Sequence, residues 1–118
     1  MLNQRLAAAQ SVASELFPAE QLIEDAIIKT SRLAIAVVEG RQSARLPITS
    51  GQDSLAAIAA VTATLIEARN QISTAHAALA QDKIDIGLGT RSMGDWGECP
   101  DPVGTLAQPA PAALKVVA

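Results

Sequence analysis

The chain predicts an all-α fold: a long antiparallel helical hairpin, its first arm kinked or broken at Pro18, followed by an irregular Gly/Pro-rich C-terminal tail. Three observations predict it. Ile58, Val61, Leu65, Ala68, Ile72, Ala75 and Leu79 follow one another at alternating spacings of three and four, the heptad pattern of a helix that lays an apolar seam against another helix. Leu16, Glu20, Ile23, Ile27, Thr30, Ala34 and Val37 repeat that spacing upstream. Between the two runs lies GRQSARLPITSG, residues 40–51, punctuated by Gly40, Pro47 and Gly51, which reads as the connection.

The first element is Leu2 to Leu16. Leu2, Leu6, Ala9, Ala13 and Leu16 keep the three-four spacing of an amphipathic helix. Pro18 then removes an amide donor and crowds the carbonyl of Ser14. Proline is tolerated in the first turn of a new helix, and Glu20 and Glu24 follow where the positive helix end favours acids. A second helix is therefore predicted from about Pro18 to Glu39, with Leu22, Ile23, Ala26, Ile27, Leu33, Ala34, Val37 and Val38 on one broad face and Gly40 as its C-terminal cap. Because the spacing carries through the proline, one rod kinked near Pro18 and two separate helices satisfy the sequence equally well.

Ser50 followed by Asp53 resembles a capping box with Asp in place of Glu or Gln. The third helix is predicted from near Gln52 to about Lys83, ~48 Å at 1.5 Å per residue, against ~55 Å for the first two segments end to end. Residues 87–118 hold five of the seven glycines and four of the six prolines. The expected organisation is a helical hairpin domain over 1–86 and an irregular tail over 87–118, in which Leu114 to Val117 form at most a short strand or turn.

Hydrophobic residues make up 49% of the chain but aromatics only 2%, so the core is expected to be thin and built largely from Ala and branched aliphatics. Net charge is −3, which argues against a general nucleic-acid or anionic-membrane binder. One cysteine, Cys99, excludes an internal disulfide framework. The N-terminus lacks the continuous apolar core of a secretory signal, and no stretch reaches the ~18 apolar residues of a membrane span. A soluble cytoplasmic protein is the expectation.

The helices carry more apolar surface than one contact covers. Ile28 and Ile35 project from the side of the second helix that carries Glu24, Ser31 and Glu39, while Leu55 and Ile66 fall outside the main seam of the third. One buried aliphatic contributes ~1.5–3 kcal/mol, so Ile28, Ile35, Leu55 and Ile66 are the expected oligomer interface, with a two-fold dimer completing a four-helix bundle.

Signals for chemistry are few. His76 is the only histidine, at the seam edge, and without a second histidine it does not read as a metal site. Cys99, in DWGECPDP, is surrounded by Asp95, Glu98 and Asp101, whose charge disfavours a thiolate. A nucleophilic reading would need His76 beside it. The run GLGTRSMG, 87–94, follows a helix rather than a strand and lacks the Lys-Ser/Thr ending of a phosphate loop, so Gly87 reads as a helix exit. Lys29, Arg32, Arg41 and Arg45 cluster near one helix end and its loop. They offer an alternative reading as a phosphate or nucleic-acid site, one without aromatic residues for base stacking. Trp96, the lone tryptophan, marks a contact either with the chain's own bundle or with another protein.

No catalytic, metal or cofactor signature emerges. The expected function is a non-enzymatic interaction or scaffold module acting through homo-oligomerisation and an unidentified protein partner. Small helical accessory proteins of bacterial and phage assemblies are of this general type.

Overall fold

The computed structural model describes residues 1–89, and within them the protein is a two-helix antiparallel hairpin: α1 spans Leu2–Ser43 and α2 spans Gln52–Asp85. Trp96, Cys99 and most of the 87–118 tail lie outside the described residues.

α1 is one uninterrupted helix of 42 residues with Pro18 inside it, so the separate-helix reading is corrected. Proline in a helix interior costs about 3 kcal/mol. The offset is local: Phe17, immediately before it, is buried, and Glu20, in the following turn, approaches α2. Burying one large apolar side chain returns roughly 1.5–3 kcal/mol, and the helix resumes its hydrogen bonding on both sides.

The end of α1 also differs from the expectation. Gly40 is not its cap; the helix runs through it to Ser43. The amides of Arg45 and Leu46 donate to the carbonyls of Gln42 and Arg41 at 3.1 Å each, the paired bonds of a Schellman turn. Arg45, at φ 53°, occupies the left-handed position usually given to glycine. The Arg41 Nη1 donates to the Leu46 carbonyl at 3.0 Å and ties the turn down. Gly40 thus bears the entropic cost of glycine in a helix with no capping role, and a Cβ added there meets nothing within 4 Å. Gly40→Ala is expected to stabilise the hairpin by about 0.5–1 kcal/mol, read as a raised denaturation midpoint; an unchanged or lowered midpoint contradicts this account.

At the start of α2 the Ser50 capping box does not form. The N-cap is Gly51, at φ 81°, with no side-chain cap bond. A residue with a Cβ is strained at that angle, and the added atom would sit 3.0 Å from Val37 Cγ1. Gly51→Ala is expected to destabilise by about 1–2 kcal/mol in the same assay, the opposite sign to Gly40→Ala.

The α1 seam is as the spacing predicts: Glu20, Ile23, Ile27, Thr30, Ala34 and Val37 are half-buried. On α2, Ile58, Leu65, Ala68, Ile72 and Leu79 are half-buried, but Val61 and Ala75 are exposed, and Thr62 and His76 take their places. The facing helix explains the shift. Thr30 and Glu20 offer polar partners, so α2 turns its hydroxyl and imidazole inward there. The core is thin: among the described residues only Ala13, Phe17, His76 and Leu88 are buried.

Candidate functional site

Polar side-chain contacts bridge the arms at successive levels. Nearest the loop, the Thr62 Oγ1 lies 3.3 Å from the Thr30 Oγ1, which also bonds back to the Ala26 carbonyl at 2.9 Å. At the next level Arg69 Nε and Nη2 both donate to Glu24 Oε1, at 3.1 and 3.0 Å. Both side chains are half or more exposed, so this pair contributes at most about 1 kcal/mol. The third level is different. His76 Nδ1 lies 2.6 Å from Glu20 Oε1, and the His76 side chain is only 9% exposed. The Phe17 ring meets the imidazole edge-on, with centroids 5.8 Å apart and planes at 72°, a favoured aromatic geometry. Glu20 Oε1 is itself shut off from solvent and receives no well-aligned hydrogen bond from the described residues.

Past this third level the arms enclose an apolar groove of about 240 Å³. α1 supplies Ala8, Ala9, Val12, Ala13, Leu16 and Phe17; α2 supplies His76, Leu79, Ala80, Asp82 and Lys83, and its C-cap residue Ile86 completes the lining. Small residues on α1 leave this space, because successive alanines project too little to fill it. Beyond the groove the exposed Arg5 joins the two arms: its Nη1 donates to the Ile86 carbonyl at 3.1 Å and so satisfies one of the carbonyls at the end of α2.

Family models, curated proteins and solved structures give no match to this chain.

Of the predicted interface residues, Ile28, Ile35 and Ile66 are exposed and Leu55 is not. Glu24, Ile28, Ser31 and Ile35 form a single row on α1 at spacings of four, three and four. On α2, Ile66 lies one turn from Arg69, and Leu55 lies eleven residues, or three turns, from Ile66. The Glu24–Arg69 contact brings the two rows side by side. Ile28, Ile35 and Ile66 are exposed by 49, 55 and 55%, whereas Leu55 is half-buried at the hairpin seam.

The basic residues are brought together less well. Lys29 and Arg32 are exposed neighbours on α1. Arg41 lies nine residues further on, ~13 Å along the axis, and is half-buried with its guanidinium on the Leu46 carbonyl. Arg45 sits in the turn. Among the described residues no three His, Cys, Asp or Glu side chains are placed to hold a metal ion, and no helix is long and apolar enough to cross a membrane.

Sequence reasoning missed Phe17 and the Glu20–His76 contact. The signal was present. α1 ends at Ser43 and α2 begins at Gln52, so folding the chain about Pro47–Ile48 sets Glu20 within one residue of His76.

Proposed function

We propose that this protein is a non-enzymatic helical interaction module that works by pairing with a second copy of itself, in the cytoplasm, to form a four-helix bundle. The observation that carries this reading is the row of exposed aliphatics Ile28, Ile35 and Ile66 on a hairpin with only four buried residues described. Two helices bury one stripe each, and a second stripe of this kind needs another partner surface. A two-fold pairing sets the same face against itself and encloses aliphatic side chains from both copies. The Pro18 position supports a second element of the proposal: a bend in α1 there lets the arms of two hairpins wrap together. Phosphate or nucleic-acid binding through Lys29, Arg32, Arg41 and Arg45 is the weaker reading, because Arg41 is engaged in the turn.

Static light scattering of the full chain tests the pairing. The expected mass is twice that of one chain or a higher multiple, falling towards one chain on dilution. A single-chain mass at every accessible concentration overturns the proposal.

A further inference from the structure

We propose that the groove between the N-terminal part of α1 and the C-terminal part of α2 is the docking site for the chain's own downstream segment, with Trp96 as the side chain it receives.

The groove's size favours one large side chain. At about 240 Å³ it falls below the ~300–1,000 Å³ typical of sites that hold a free small molecule. Its walls are alanine, larger aliphatics and Phe17 except for His76, Lys83 and Asp82, and an aromatic side chain that enters such a place buries roughly 150–250 Å².

The chain leaves the helix at the groove. Ile86, a lining residue, is the C-cap of α2. The Gly87 amide donates to the Ile84 carbonyl at 2.9 Å and the Leu88 amide to the Lys83 carbonyl at 3.1 Å, with Gly87 at φ 87°. This Schellman turn reverses the backbone rather than letting it run on past α2. Leu88 is 3% exposed, the most buried of the core residues described, so the chain is pinned at the groove's edge. Gly89, at φ 63°, makes a second left-handed turn.

Twenty-nine residues follow Gly89. Trp96 is the seventh, within ~23 Å of Gly89 on a fully extended backbone. The α1 wall from Ala8 to Phe17 is ~13 Å long, so the tryptophan reaches any part of it. Gly97 directly follows Trp96 and removes one side chain that would otherwise stand beside it as the backbone nears a helix. No other tryptophan or tyrosine exists in the chain.

Because Trp96 is unique, its fluorescence reports this contact alone. In the full chain, its emission is expected to be blue-shifted from free indole, and acrylamide quenching several-fold weaker. Val12→Asp and Ala8→Glu each place a charge in the groove at a position exposed in the hairpin. Either variant that keeps its helical circular dichroism should return emission and quenching to the free-indole values. Ile28→Lys, on the paired-copy face proposed above, should leave the Trp96 signal unchanged even where it lowers the mass. Quenching in the wild type as strong as that of free indole overturns the proposal. So does shielding that survives Val12→Asp and Ala8→Glu, or shielding lost on dilution, which would make the occupant a second copy.

Discussion

Phe17→Ala is expected to remove about 3 kcal/mol of stability, at the lower end of the usual cost for a buried phenylalanine. Phe17 sits at a helix–helix contact rather than in a closed core, so part of the space it leaves opens to water. Against a typical total of ~5–15 kcal/mol for a small domain, such a loss is large. At ~4–8 °C per kcal/mol for a domain of this size, the midpoint of thermal unfolding, followed by circular dichroism, should fall by more than ~10 °C. Two effects add here. The substitution removes the edge-on contact with His76, and it removes the burial that offsets Pro18 in the next position. Phe17→Leu keeps most of the buried area and should cost less. Equal small losses for both variants would mean that this level does not anchor the hairpin.

The second large effect is on association. The double variant Ile28→Lys, Ile66→Lys should give the scattering mass of a single chain while retaining helical circular dichroism. Both side chains lie between the Glu24–Arg69 and Thr30–Thr62 contacts, Ile28 on one arm and Ile66 on the other, so they share one level of the proposed interface. A two-fold pair would bury four such side chains. Even ~1.5 kcal/mol for each gives a difference of several kcal/mol, a weakening of at least about a thousandfold. Burial of four ammonium groups would add to it. Both positions are about half exposed in the hairpin itself, so the fold of each arm should survive. A mass unchanged from wild type would place any interface elsewhere, with the exposed aliphatics Leu22, Leu33 and Val61 the next to test.

The helices and their pairing were legible because apolar spacing is a local property of the chain. The α1 seam from Glu20 to Val37 is half-buried as read. What was not legible depended on neighbours distant in sequence. Val61 and Ala75 are as apolar as a seam requires, yet Thr62 and His76 are turned inward because Thr30 and Glu20 face them. The helix ends failed for another reason. Gly40 and Ser50 are strong local signals, but the turn closes through Arg41, Arg45 and Gly51 instead, where hydrogen bonds to the carbonyls of Gln42 and Arg41 outweigh the intrinsic preference for glycine at a left-handed angle. The groove could not be foreseen from periodicity at all, since it arises where small residues on both arms fall at the same level.

The bridging contacts between the arms have one more consequence. On α2 their members, Thr62, Arg69 and His76, stand seven residues apart, so on that arm alone a slip of two turns would bring polar positions back to the same places. On α1 the matching members, Glu20, Glu24 and Thr30, are four and six apart. Like two scales ruled at different intervals, they coincide at one offset only. A slip of two turns would set Arg69 near Glu20 but leave the imidazole facing Ala13, with no carboxylate to meet it. The hairpin is thus keyed to a single alignment, which fixes how far its open end stands from its loop.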